Sequence, residues 1–252
     1  MKEFREKIDL IDEKILDLLI KRFDLSIKIG SYKKINKLEI ENLKREDEIA
    51  KSFPDLYKKN IENIYREIFK NSKHMQEKLF AYLDKNIVLI GMPGCGKTTL
   101  GEILSKKLKR DFFDTDKEFE NLYGSPEEFI IREGLSKFRD IESEILRKFS
   151  KNKYGVISTG GGIVERKENL EILKDNSFVY YIDRDTDKLT LSGIQPSYKK
   201  DLYKLREKRE NLYREFSDEI IKNNTDPQEA VGKLIESFNN DILVKARAGV
   251  LW

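Results

Sequence analysis

The stretch NIVLIGMPGCGKTTL (86–100) decides the fold of the larger part of this chain. It opens as a short apolar, β-rich run and passes through a glycine-rich turn. The GEILSKKLKR that follows (101–110) carries helical spacing. In that strand–turn–helix frame, GMPGCGKT (91–98) fits the phosphate-binding pattern GxxxxGK[ST]. Glycines let the backbone turn so that successive N–H groups face phosphate oxygens, and the next helix adds its positive end. Lys97 is placed to bridge the β- and γ-phosphates and Thr98 to offer its hydroxyl to Mg²⁺. Gly94, Cys95, Gly96, Lys97, Thr98 and Thr99 form the expected ATP cradle, with Cys95 serving as a small residue.

Downstream, strand candidates at Phe112–Asp114, Gly155–Ser158, Phe178–Ile182 and Glu219–Lys222 alternate with helical stretches. The alternation predicts an α/β domain over 85–240 with a parallel five-stranded sheet. Upstream, residues 1–84 contain one glycine (Gly30) and one proline (Pro54). Ile8, Ile11, Ile15, Leu18 and Leu19 trace one helical stripe that continues to about Ile35. A helix that long spans roughly 50 Å. A second helix over about 40–52, ending before Pro54, and a third over about 55–83 complete a predicted all-α three-helix domain. Three such helices cannot enclose so extended a stripe alone, which predicts an intertwined homodimer. The chain is therefore multidomain, and 241–252 lies past the last expected helix as a tail of no assigned role.

Composition narrows the setting. Of 252 residues, 38% are charged and 38% hydrophobic, and the net charge is +3. That charge is spread evenly, with 19 basic against 17 acidic residues in 1–84 and 30 against 29 in 85–252. Without a basic block, a nucleic-acid partner is not expected. The one cysteine excludes an internal disulfide and fits a reducing compartment. The start MKEFREKIDL lacks the apolar segment of a secretion signal, and no apolar run approaches membrane-spanning length. A cytoplasmic protein is expected.

Three further patterns address the phosphate acceptor. Phe113-Asp114-Thr115-Asp116 sets two carboxylates at i and i+2 at the end of a strand, hence on one face. Phe138-Arg139-Asp140-Ile141-Glu142 falls on a helix, and Gly160-Gly161-Gly162 follows a strand, where bare backbone can approach a small substrate. With Arg209 and Tyr213 of RENLY (209–213), the set resembles the shikimate kinases over 86–240. Adenylate and gluconate kinases share the phosphate loop but not this series. The resemblance implies that Asp114 joins Thr98 in the Mg²⁺ shell, that Asp116 orients or deprotonates the attacking hydroxyl, and that Arg139 and Arg209 clamp the shikimate carboxylate. Guanidinium forks suit that last task. It also assigns Gly160, Gly161 and Gly162 to shikimate binding. The family's lid ordinarily carries an Arg-Pro pair, and here it reads Gln195-Pro196, with Ser192 upstream where an arginine is also common. Either Lys199, Lys200 or Arg206 substitutes for that arginine, or the kinase is slow.

In the helical part, Arg22 and Lys33 stand 11 residues apart, which places them on one face about 16 Å apart along the axis. Ser72 and Gln76, at i and i+4, can face the same cavity. Arg5 lies about 25 Å from Arg22 along the helix, too far to join that cavity within one chain. The order of FREKIDLIDEKILDLLIKR (4–22), YKK (32–34), REDE (45–48) and SKHMQ (72–76) resembles the all-helical chorismate mutases over 1–83. By that resemblance, Arg22, Arg45 and Arg5 of the partner subunit bind substrate carboxylates. Lys33 and Gln76 hydrogen-bond the breaking ether oxygen, Glu46 holds the ring hydroxyl, and Ser72 is a peripheral contact. Asn42 stands where many relatives are acidic. His74 is expected to face solvent.

The combined expectation is a bifunctional enzyme of aromatic amino-acid biosynthesis acting on chorismate and, with ATP, on shikimate. The competing expectation keeps the kinase and makes the helices a dimerisation and sensor module that binds chorismate or prephenate without turnover.

Overall fold

The computed structural model describes residues 1–190 and 199–247, in two compact units. One comprises residues 1–83 together with the residues from Asn239 onward; the other is Asp84–Phe238.

The first unit is helical: α1 Lys2–Ile35, α2 Leu43–Lys51 and α3 Lys58–Leu83. Asn42 explains itself as the N-cap of α2, its side chain accepting from Arg45 N at 3.1 Å. The third helix starts a turn later than expected because Tyr57 takes a left-handed conformation, φ 58°. α1 packs along α3 at Gly30, where a Cβ would stand 2.9 Å from Leu79 Cδ2 and 3.0 Å from Gln76 Cγ. Along α1, only Ser26, Ile27 and Gly30 are buried. Phe4, Ile8, Ile11, Ile15 and Leu18 are all about half exposed or more, so most of the predicted stripe has no cover among the described residues.

In the second unit, β1 (Asn86–Ile90) is followed by α4 (Lys97–Leu108), β2 (Asp111–Asp114), α5 (Thr115–Tyr123), α6 (Pro126–Glu133) and α7 (Leu135–Ser150). Then come β3 (Gly155–Ser158), α8 (Glu168–Asn176), β4 (Ser177–Asp183), α9 (Lys199–Phe216), β5 (Glu219–Lys222) and α10 (Pro227–Arg247), whose residues from Asn239 onward belong to the first unit. The five strands are all parallel in the order β2-β3-β1-β4-β5. β1 and β4 are buried along their whole length, as a parallel sheet covered on both faces requires. The phosphate loop thus leaves the carboxyl end of a central strand, where α/β sheets bind ligands. One expectation fails: residues 241–247 are not a separate tail but the end of α10. The segment keeps an apolar contact side, since Ile242 is buried, and the Tyr82 hydroxyl donates to Asp241 at 2.8 Å. No helix among the described residues is long and apolar enough to cross a membrane.

Candidate active sites

The phosphate loop is built around Gly96, the N-cap of α4. Its φ of 97° and a would-be Cβ only 2.6 Å from Asn223 Nδ2 leave room for no other residue. Asn223, at the end of β5, donates to Cys95 O at 2.8 Å and so pins the loop from outside. Lys97 is buried and folds back, its Nζ donating to Gly91 O and Met92 O at 2.9 Å each. These are hydrogen bonds to neutral carbonyls, which an arriving phosphate oxygen can replace with charge-assisted ones. Thr98 Oγ1 donates to Asp114 Oδ2 at 2.7 Å. Cys95 is fully buried, as a small filler of the loop.

Asp114 also caps α5: its Oδ1 accepts from Asp116 N (3.0 Å) and Lys117 N (3.1 Å). Asp116 therefore sits in the first turn of α5, not on the strand. The two carboxylates come together through a helix cap rather than through strand alternation. Asp116 is exposed as a residue, while its carboxylate oxygen Oδ1 lies against Gly160. The surrounding protein strips enough hydration to raise its carboxyl pKa; Lys97 opposes that rise, and Asp114 and Glu120 add to it.

Arg139 on α7 and Arg209 on α9 meet at one carboxylate, Glu165. Arg139 Nε donates to Glu165 Oε2 at 3.1 Å, and Arg209 Nε and Nη2 both donate to Oε1 at 3.1 Å. Lys208 Nζ joins at 2.9 Å. Burial alone would raise the Glu165 pKa, but Lys208, Arg209 and Arg139 together hold it down at about 2. The other side of Arg139 is paired with Glu142, a buried residue whose carboxyl is raised by burial against the pull of Arg139. Tyr213 stacks on Tyr181 with centroids 5.0 Å apart and donates to Gly161 O at 2.6 Å, which fixes the glycine run.

That run is bare for a reason beyond the one read from the sequence. A Cβ at Gly160 would lie 2.5 Å from both Asp116 Oδ1 and Glu142 Oε1, and one at Gly161 would lie 2.7 Å from Pro93 Cδ. At Gly162 it would overlap the Arg139 guanidinium. The glycines make room first for the site's own acids and arginine.

In the helical unit, a cavity of about 220 Å³ is lined by Arg22, Lys33, Arg45, Glu46, Ser72 and Gln76. Arg22 Nη1 donates to Ser72 Oγ at 2.5 Å, and its guanidinium lies 5.6 Å from the Phe69 ring centroid. Burial lowers the Arg22 pKa, and Tyr65 and Glu46 partly offset that. Lys33 Nζ is held by Ile40 O at 2.5 Å. Gln76 Oε1 is buried without a hydrogen-bond partner. Arg5 is exposed and does not line this cavity.

The family model for shikimate kinase matches residues 93–239, more than half of the chain. The chain belongs to the shikimate kinase family. A shikimate kinase of Clostridium beijerinckii is 37% identical over 168 residues, covering 64% of this chain and 96% of that protein. One from Clostridium botulinum is 40% identical over 136 residues, covering 54% and 82%. Among solved structures, the Acinetobacter baumannii shikimate kinase in complex with shikimate is 29% identical with a TM-score of 0.58, covering 62% of this chain and 94% of that one. The Aquifex aeolicus shikimate kinase is 31% identical with a TM-score of 0.56, covering 63% and 98%. A second model, chorismate mutase type II, matches residues 4–77. Both a chorismate mutase and a shikimate kinase domain are thus present.

In the shikimate kinase unit, the residues singled out from sequence gather at one end of the sheet. Reading the sequence missed Glu165, which binds both arginines, and Asn223, which holds the loop. Neither follows a spacing rule, because each reaches its partner across the fold. Glu142 was within reach, three residues beyond Arg139 on one helix. Of the expected lid substitutes, Arg206 is committed elsewhere: it pairs with Asp183 at 2.5 Å and donates to Arg184 O at 2.7 Å. Gln195 and Ser192, and the side chains of Lys199 and Lys200, lie outside the described residues. In the mutase unit, Glu41 and Lys73, an ion pair at 3.1 Å on the cavity wall, were also missed. His74 is exposed, as expected.

The steric argument at Gly162 makes a prediction. Gly162→Ala forces Arg139 out of its fork with Glu142 and Glu165. KM for shikimate is expected to rise about ten-fold or more, the cost of one misplaced charged hydrogen bond, with KM for ATP unchanged. Steady-state kinetics with each substrate varied in turn checks the split.

Proposed function

We propose that the chain rearranges chorismate to prephenate in its helical unit and transfers the γ-phosphate of ATP to the 3-hydroxyl of shikimate in its α/β unit. The observation that carries the kinase reading is the convergence at the phosphate-loop end of the sheet: Arg139 and Arg209 share Glu165, and Asp116 meets Glu142, the other partner of Arg139, across Gly160. The observation that carries the mutase reading is one cavity lined by both Arg22 and Lys33.

For phosphorylation, the N–H groups of Gly94, Cys95, Gly96, Lys97, Thr98 and Thr99 cradle the ATP phosphates, and Lys97 neutralises charge on the β- and γ-oxygens. Arg139 and Arg209 hold the shikimate carboxylate, and the backbone of Gly160, Gly161 and Gly162 borders the ring hydroxyls. Asp116 accepts the proton of the 3-hydroxyl as its oxygen bonds to the γ-phosphorus, and the bond from that phosphorus to the bridging oxygen breaks to release ADP. Thr98 and Asp114 fit a Mg²⁺ shell, being two hard oxygen donors 2.7 Å apart that leave other positions to water and phosphate. Bound there, Mg²⁺ would screen charge on the transferring group.

For the rearrangement, no nucleophile or metal is needed. Arg22 and Arg45 grip the carboxylates and Glu46 takes the ring hydroxyl, with Ser72 orienting Arg22. Lys33 and Gln76 donate to the ether oxygen as its bond to carbon breaks. Arg5 of the partner subunit completes the site in a homodimer. The uncovered stripe of α1 supports that dimer: burying five such side chains is worth on the order of 10 kcal/mol. Sedimentation of the full chain is expected to show a dimer, and Ile15→Glu a monomer with depressed mutase activity. A monomeric wild type at micromolar concentration overturns the dimer. A cytoplasmic setting fits the single buried thiol of Cys95.

Two assays on the purified full chain test the whole reading. One follows chorismate loss, and the other follows ADP formation with and without shikimate. Both rates are expected above background; binding of chorismate without turnover would leave the helical unit a sensor.

A further inference from the structure

ATP brings three phosphates to a loop whose one lysine is Lys97, so a further cation beside the loop has work to do. Arg184, the residue after β4, lies there: its Nη1 is 3.9 Å from the point a Cβ on Gly96 would occupy. Its neighbours are all matched. Asp183 is paired with Arg206 and Lys222, Asp185 with Lys188, and the Arg184 carbonyl accepts from Arg206. The guanidinium itself makes no ion pair among the described residues, and its Nε is buried without a hydrogen-bond partner. Asn223, also against Gly96, keeps a buried Oδ1 without a partner while its Nδ2 holds Cys95 O. A buried guanidinium donor left without an acceptor is costly, and a site that fills only when ligand arrives accounts for it.

We propose that Arg184 is a nucleotide-binding residue whose guanidinium pairs with phosphate oxygens of the ATP or ADP held by the loop at Gly96. The proposal rests on the kinase reading only for the identity of the nucleotide. Asn223 acts as a positioning residue, fixing the Cys95–Gly96 peptide against which the phosphates lie.

The test is ADP binding to the full chain by titration calorimetry, with shikimate binding measured in parallel. Arg184→Gln is expected to weaken ADP about ten-fold or more, the scale of a lost charge-assisted pair, and to leave shikimate affinity within about two-fold. Arg184→Lys, which keeps the charge, is expected to recover part of the loss, and KM for ATP to follow the same order. Unchanged ADP affinity in Arg184→Gln overturns the proposal. So does equal weakening of ADP and shikimate, or a lysine variant no better than the glutamine one, since either marks a purely structural role. If the wild type binds ADP but does not phosphorylate shikimate, the kinase reading fails while the Arg184 result stands on its own.

Discussion

Lys33→Ala is expected to lower the chorismate rearrangement rate constant about 10²- to 10³-fold, the range for removing one pre-organised donor to developing negative charge. Shikimate phosphorylation by the same preparation should stay within about two-fold of wild type. The size of the effect follows from the chemistry. The reacting bond is internal to the substrate, so the protein contributes a compact conformation and charge stabilisation and nothing else. Negative charge grows on one ether oxygen, and Lys33 is the cation assigned to it. The Ile40 carbonyl holds that ammonium in the cavity, so little reorganisation remains when the bond stretches. KM should change less than kcat, because the carboxylate contacts proposed for Arg22 and Arg45 persist. A stopped-time assay of chorismate loss beside a coupled ADP assay reads both. Equal loss in the two activities would mean that the substitution damages the fold.

Asp116→Asn carries the second large effect, a fall in kinase kcat of about 10²- to 10⁴-fold, as removal of a positioned proton acceptor gives. The pH dependence follows from its surroundings. Loss of hydration raises the carboxyl pKa, Lys97 opposes it, and Asp114 and Glu120 reinforce it. In the proposed role the working form is the carboxylate, so activity is expected above the raised pKa and lost as pH falls through it. The acid limb of kcat should therefore lie above the position an ordinary aspartate would give. In Asp116→Asn the residual rate should lose that limb, since an amide does not titrate in this range. An unchanged acid limb in the variant would assign the titration to another group, and Glu142, raised by burial, is the neighbour to examine. The mutase rate, measured on the same sample, is expected to be unaffected.

The helical unit shows where spacing along one helix suffices. Arg22 and Lys33 share a face by simple rotation, as do Ser72 and Gln76, and all four line one cavity. What α3 must do to reach α1 is carried by Gly30, whose role is visible only when Leu79 and Gln76 are seen against it. The α/β unit shows the converse. Its strands fall close to where the apolar runs place them, yet the rule that joined Asp114 to Asp116 was the wrong one. Alternation along a strand would have set them side by side, whereas the chain turns helical at Thr115 because Asp114 satisfies the free N–H groups of α5.

Local chemistry wrote the phosphate loop, the five parallel strands and the long amphipathic helices into the sequence. Each depends on residues within a few positions of one another, where sterics and hydrogen-bond geometry act without reference to the rest of the chain. Tertiary structure alone decided that Glu165 would tie Arg139 to Arg209, that Arg206 would be spent on Asp183, and that Arg184 would stand beside Gly96 with no ion pair among the described residues. Those contacts join residues 23 to 88 positions apart. Which cation meets which carboxylate at that range is settled by how helices and strands pack, and in a chain with 38% charged residues the sequence offers many equivalent partners.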